Sequence, residues 1–432
     1  MKKPSLRLSE RAKQTAEQPI SYLMHAAVAN PTMISLAAGL VDEESLPAEA
    51  TRQSIEELLS DPAAARRALQ YGTTQGDKRL RELAVEHLTQ LEGRSAADMH
   101  LDPHHVVVTT GSQQMLQLVS DVLLDQGDIV LVGAPDYFVF LGTLSALGAR
   151  VIGVPMDEQG IVPEALVETF SQLDHAGQLA RVKLLYCASY FQNPTGVTLA
   201  AERRPVILDI VQKWSREGRI LVLEDAAYRE LNYTAARPPS LRSFDRSGES
   251  VILTQTFSKP FSPGLKTGYT VLPTELLEPV LHQKGNHDFG SANFIQHLLA
   301  ALMTSGHYAE HVERMREIYR VKLAATLDAL ETEFHRRSIA AQWTRPDGGL
   351  YVWLALAPDV DTTRGGELFR RCLDRGVLYV PGEYCFPPEF GASAAGPLGG
   401  PRHTMRLSFG VPSTDRIRQG IARLAEAVAE TV

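Results

Sequence analysis

The sequence predicts an α/β protein: a large domain whose mostly parallel sheet is sandwiched by helices, with a smaller α+β domain beside it. Three observations carry this. From about residue 105 to 257, short and nearly continuous apolar strands alternate with helical stretches, the pattern of strands buried on both faces. Beyond about residue 290 that alternation gives way to a long amphipathic stretch and then short mixed elements. The length of 432 residues suits one large core and a smaller one better than a single core.

Taken in chain order, residues 1–45 read as an N-terminal arm that forms part of the small domain, 46–300 as the large domain and 301–432 as the C-terminal small domain. In the large domain "HVVVTTG" is a β-branched strand. The helix "SQQMLQLVSDVLLDQG" follows it, with Met115, Leu116, Val119, Val122 and Leu123 at helical spacing and Gly127 closing the segment. Then come a strand "DIVLVGAP", a helix across 137–148 and a strand "ARVIGVP". Further strands are "VKLLYCAS" (182–189), "RILVLED" (219–225) and "SVILTQTF" (250–257). An amphipathic helical stretch (291–333) leads into the small domain, with "GGLYVWLAL", a helix near 363–375, "GVLYVPG", "MRLSFG" and a last helix. The Gly/Ala/Pro-rich segment 387–403 is longer than most structureless loops, and reads either as an insertion or as a cover over a site.

Bulk chemistry narrows the function classes. With 43 basic and 51 acidic residues and a net charge of −8, no basic stripe is present to follow a phosphate backbone, so nucleic acid is not expected as a partner. Three scattered cysteines match no metal spacing and fit a reducing, cytoplasmic setting. Cys187 reads as a buried strand thiol. The N-terminus lacks the apolar segment of a signal peptide, and no apolar run is long enough to span a membrane.

In a parallel α/β sheet, ligands gather beyond the carboxyl ends of the strands. Polar groups stand at that edge after each of several strands: Gly111-Ser112-Gln113, Asn193 in "YFQNPTG", Asp225 and Tyr228 in "EDAAYREL", and Ser258-Lys259. Each has a plain reading as well: a helix cap, a turn former, a packing residue, a solvated loop lysine for Lys259, a surface pair for Arg406. Together they supply what pyridoxal 5'-phosphate (PLP) needs. A helix N-terminus with a hydroxyl suits a phosphate. An amine forms a Schiff base, and a carboxylate keeps the pyridine nitrogen protonated so that the ring accepts electrons. Donors on the phenolate oxygen favour its ionised form.

The chain resembles the fold type I PLP enzymes, in particular the class I/II aminotransferases and their 2-aminoadipate and kynurenine branch. The resemblance spans nearly the whole chain: "YGTTQGDKRLRE", "TTGSQQMLQL", "FQNPTG", "VLEDAAYREL", "TFSKPFSPGLKTG", "PDGGLYVWL", "VPGEYCF" and "MRLSFG" occur in the family's order. It implies Lys259 as the Schiff-base lysine, Asp225 at the pyridine nitrogen, and Asn193 and Tyr228 at the phenolate oxygen. Ser112, Gln113, Ser258 and Lys266 would surround the phosphate, Tyr137 would stack on the ring, and Tyr71 would reach in from the other subunit of a homodimer. Arg406 would hold the substrate α-carboxylate, and Gly39 matches a segment lying over the substrate, with Asn193 beside it. The implied activity is transamination between an L-amino acid and a 2-oxo acid. A lyase, decarboxylase or cyclase using the same cofactor is the nearest rival, and a PLP-sensing regulatory domain a remote one.

Three departures from the family pattern stand out. Lys266 occupies a position that is usually arginine. "AGLVDEESLP" sets Asp42, Glu43 and Glu44 near the expected substrate side, a hint of a cationic or polar donor whose plainer reading is an exposed charge cluster. The 387–403 segment lengthens the connection to Arg406.

Overall fold

The computed structural model describes residues 6–15, 21–23, 30, 32–390 and 400–432. The arm contributes a two-residue strand, β1 (Ile34–Ser35). Eight strands then form one sheet: β2 (Val106–Thr109), β3 (Ile129–Ala134), β4 (Arg150–Asp157), β5 (Gly160–Ile161), β6 (Val182–Ala188), β7 (Leu221–Asp225), β8 (Val251–Thr256) and β9 (Gly268–Val271). Their order across the sheet is β2-β9-β8-β7-β6-β3-β4-β5. The run β8-β7-β6-β3-β4 is parallel throughout, while β9 lies antiparallel between β2 and β8. The expected mostly parallel sheet is present, with β9 as an added strand. Its four residues, "GYTV", sit among Gly and Pro signals and carry too short a pattern to stand out.

Strand alternation assigns each face to a set of helices. On β6 and β7, Leu184, Tyr186, Leu221 and Leu223 pack with Met115, Leu116 and Val119 of helix Ser112–Leu123, and with Leu276 and Val280 of helix Thr274–Asp288. The intervening Leu185, Cys187 and Val222 pack instead with Leu166 and Phe170 of helix Pro163–His175, and with Ile207 and Val211 of helix Arg203–Trp214. Helices therefore cover both faces, and Cys187 is a buried free thiol on the opposite face to Tyr186.

Five further strands follow: β10 (Ala341–Trp343), β11 (Tyr351–Leu356), β12 (Val377–Leu378), β13 (Val380–Pro381) and β14 (Thr404–Ser408). A second, antiparallel sheet has the order β10-β11-β14-β13, and β12 pairs in parallel with β1 of the arm. The helical stretch expected over 291–333 is present as two helices, Asn293–Thr304 and His307–Arg336, separated at Ser305-Gly306. Part of the long 387–403 segment, residues 391–399, lies outside the described residues. Its start runs along β4, where Glu389 pairs with Arg150 at 2.7 Å. Among the described residues, no helix is long and apolar enough to cross a membrane.

Candidate active site

A cavity of about 270 Å³ opens at the carboxyl edge of the large sheet. Its lining includes Ser112, Gln113, Tyr137, Asn193, Asp225, Tyr228, Ser258, Lys259 and Lys266. Nine of the residues singled out in the sequence thus meet in one space, although they come from segments up to 154 positions apart, from Ser112 to Lys266.

Local sequence explains each placement. Alternation on β7 turns Leu221 and Leu223 into one face of the core, and Asp225 ends that same face as its polar tip. Glu224 points the other way, fully buried. It accepts from Ser189 Oγ at 2.6 Å and from the backbone N–H groups of Leu241 and Arg242 at 3.0 and 3.1 Å, with Arg204 beside it. The adjacent acids of "LED" therefore divide, one bracing the fold and one facing the cavity.

Helix Ser112–Leu123 begins at the cavity without a side-chain cap: Gly111, at φ +72°, is its N-cap, and Ser112 is the first helical residue. Ser112 is therefore free of the capping role that was its plain reading. The helix start is packed tightly, since a Cβ on Gly268 would stand 2.9 Å from Ser112 N and 2.6 Å from the Gln255 carbonyl. At the same carboxyl end of β8, Thr256 Oγ1 donates to Ser258 Oγ at 3.0 Å, fixing the turn that presents Lys259.

Lys259 is half-buried, and its Nζ donates to the Gly39 carbonyl at 2.7 Å. Burial lowers its pKa; the charges of Arg406 and Lys266 push the same way, against Tyr351. Asp225 is 6% exposed, and burial raises its pKa to about 6. Donors from Tyr186 (to Oδ2, 3.0 Å) and Ala227 N–H (to Oδ1, 3.0 Å) counter that rise, while Glu224 adds to it. Burial and the neighbouring Tyr351 hold the Tyr228 phenol well above its usual range, and the two hydroxyls lie 2.9 Å apart.

Arg406 is 1% exposed and reaches the site from β14. Its Nη1 donates to Asn193 Oδ1 at 2.7 Å and its Nη2 to the Ala37 carbonyl at 2.6 Å, while its guanidinium lies 4.3 Å from the Tyr351 ring centroid. The Nε of Arg406 is buried without a protein partner. With Asn193 Oδ1 engaged, the amide NH2 is the group left to face the cavity. Arg406 does not itself line the cavity but stands behind Asn193.

Tyr71, expected to serve the other subunit's site, stands away from this chain's own cavity: it is 84% exposed, with its ring edge-on to Phe289 at 5.8 Å. One expectation changes. Asp42 is not part of a free acidic cluster, because Lys322 Nζ donates to it at 2.6 Å and both side chains are largely covered. Of the three acids only Glu43 and Glu44 are exposed, so the hint of a cationic or polar donor keeps two of its three carriers.

The cavity also holds Leu40, Thr110, Tyr186, Tyr190 and Thr256, none of which the sequence reading named. Tyr186 had a signal: a phenol inside an apolar strand needs a partner for its hydroxyl. Tyr351, buried behind Tyr228, was quoted only as part of a motif.

A half-buried amine and a buried carboxylate lining one cavity, an uncapped helix start beside hydroxyls, and an arginine with a spare buried donor together fit PLP and an amino acid substrate. Sheet and cavity define a fold type I PLP-dependent transferase. A family model for aminotransferase class I and II matches residues 31–411. The chain belongs to that family and is a PLP-dependent transaminase, acting on amino acids and 2-oxo acids. It is 34% identical over 400 residues to a 2-aminoadipate transaminase of Thermus thermophilus, covering 92% of this chain and 90% of that one. With aromatic-amino-acid aminotransferase 1 of Thermococcus litoralis it shares 32% over 398 residues, or 92% and 88% of the two chains. The solved kynurenine aminotransferase of Pyrococcus horikoshii, in complex with PMP, superposes with a TM-score of 0.86 at 31% identity, over 98% of this chain and 97% of that one.

Proposed function

We propose that Lys259 is the amine that holds PLP and serves as the base of the transamination. The observation that carries this is its Nζ, held on the Gly39 carbonyl in the cavity that Asp225 also lines. Asp225 would face the ring nitrogen, Asn193 and Tyr228 the phenolate oxygen, and Tyr137 the ring face. Ser112, Gln113, Ser258 and Lys266 would hold the phosphate. When bound, PLP supplies an aldehyde that captures amines and a protonated ring that draws electrons from the substrate Cα.

The residues' own contributions follow from their surroundings. Burial favours the neutral amine of Lys259, which is the form able to accept a proton from the substrate Cα. Arg406 would orient the α-carboxylate through its unpartnered Nε and the second N–H of a terminal nitrogen, since its two terminal nitrogens each give one N–H to Asn193 and Ala37; Gly39 keeps the arm closed over the amine. The charged side chains lining the cavity, Asp225, Lys259 and Lys266, are all assigned to the cofactor, and Leu40 presents an apolar surface. An amino donor with an uncharged, bulky side chain is the class that suits this lining. The names of the aromatic and kynurenine enzymes among its relatives support the same class, while that of the 2-aminoadipate enzyme points to an acidic side chain.

The proposal includes a homodimer. Leu69, Tyr71 and Phe289 are 70%, 84% and 62% exposed, an apolar group at the surface that a second copy would cover, with Tyr71 completing the neighbour's phosphate site. It also includes a cytoplasmic location, supported by three cysteines that are free and buried. Residues 1–45 as arm, 46–300 as large domain and 301–432 as small domain complete the reading; the pairing of β1 with β12 supports the arm's share in the small domain.

The test is the visible spectrum of the PLP-loaded protein as single amino acids are added without any oxo acid. Loss of the aldehyde-form absorption with one equivalent of 2-oxo acid is the expected result, fastest with bulky uncharged donors. Catalytic product formation with the aldehyde form retained would replace transamination by elimination or decarboxylation.

A further inference from the structure

We propose that Tyr186 is a positioning residue that keeps Asp225 ionised against the cofactor's ring nitrogen, so that the proton between them stays on the ring. This rests on the reading of Asp225 as the partner of that nitrogen.

The geometry is specific. Tyr186 is 1% exposed, and its Oη donates to Asp225 Oδ2 at 3.0 Å. Its ring packs on Phe140 with centroids 4.6 Å apart, which fixes the direction of the hydroxyl. In the parallel register Ala188 stands opposite Asp225, so Tyr186, two residues earlier on the same face, meets the carboxylate diagonally. The second oxygen, Oδ1, takes the Ala227 N–H. Each carboxylate oxygen therefore has one donor from the protein, and both donors stabilise the charged form.

Those donors act against everything else near the group. Burial and the charge of Glu224 favour the neutral acid at Asp225. Around Tyr186 stand Asp225, Asp136 and Tyr137, which together with burial push its phenol up, so that it stays protonated and remains a donor. Without the hydroxyl, Asp225 becomes the stronger base and draws the shared proton away from the ring, which weakens the ring as an electron acceptor. A role in packing alone would be filled equally well by phenylalanine.

The test reconstitutes wild type, Tyr186→Phe and Asp225→Asn with PLP labelled with 15N at the ring nitrogen, and reads the nitrogen's chemical shift by solid-state NMR. Wild type is expected at the pyridinium position and Asp225→Asn at the neutral one, with Tyr186→Phe displaced from wild type toward Asp225→Asn. Cofactor affinity in Tyr186→Phe should fall about tenfold, the worth of one hydrogen bond to a charged group. Phenylalanine keeps the ring against Phe140, so the fold is retained. If Tyr186→Phe coincides with wild type while Asp225→Asn differs, the role of Tyr186 is refuted and that of Asp225 stands. If all three coincide, the reading of Asp225 falls, and the proposal with it.

Discussion

Replacing Asp225 by asparagine should make the cofactor-free protein more stable at neutral pH while removing its activity. Burial lifts the Asp225 pKa from 3.8 to about 6. The folded value is raised, so the contribution to stability is fully present below the unfolded value and is lost as pH rises through about 6. Two pKa units at about 1.4 kcal/mol each put the cost of the ionised carboxylate at roughly 3 kcal/mol above that range. Asparagine escapes this cost, but it matches the two donors, Tyr186 Oη and Ala227 N–H, with a single acceptor oxygen, which returns about 1 kcal/mol. The variant apoprotein should therefore gain about 2 kcal/mol near pH 8 and almost nothing near pH 4. Urea midpoints of both apoproteins across that pH range measure the difference directly. Curves that stay parallel from acid to neutral pH would refute the claim that Asp225 is held ionised at a cost to the fold. The same variant loaded with PLP should lose turnover steeply, and near-normal turnover would remove Asp225 from its role.

Other substitutions separate the parts of the site. Lys259→Ala should abolish steady-state turnover, measured as oxo-acid release, and any substantial rate would locate the base elsewhere. Arg406→Lys should raise KM for amino acids by about 10- to 100-fold, since a point charge replaces a planar fork; an unchanged KM would place the α-carboxylate on another group. Asp42→Asn should leave the preference between cationic and neutral donors unchanged while lowering stability by about 1–3 kcal/mol through loss of the covered Lys322 pair, read by denaturation. Arg204→Met should cost about 3 kcal/mol or more, because it removes one partner of a fully buried pair with Glu224, and an unchanged denaturation midpoint would show that the pair does not brace the fold.

Much of the site was legible because its residues follow strand ends in a fixed order. Asp225, Asn193 and Lys259 sit in short segments whose neighbours carry strong local signals, and the parallel sheet brings such segments to one edge. What stayed hidden was either short or non-local. β9 has four residues, and helix Thr274–Asp288 contains Pro279 and Gly285, which blur its period. Tyr186 looked like core because it is core; only its partner on the next strand gives it a second role. Asp42 read as one of three exposed acids, and nothing local announces Lys322, 280 positions away. Tyr71 could be placed only by resemblance, since its surroundings in this chain are solvent and Phe289.

The arm meets the site through its backbone. The Ala37 carbonyl holds Arg406 and the Gly39 carbonyl holds Lys259, while the side chain of Leu40 lines the cavity. Carbonyl groups are common to every residue type, so these two fastenings do not depend on which side chains the arm carries. Selection acting on position 40 can therefore reshape the cavity without disturbing the fastenings of Arg406 and Lys259. The arrangement separates a side-chain contact from two backbone fastenings within four consecutive residues, so a single substitution can alter the first and leave the others in place.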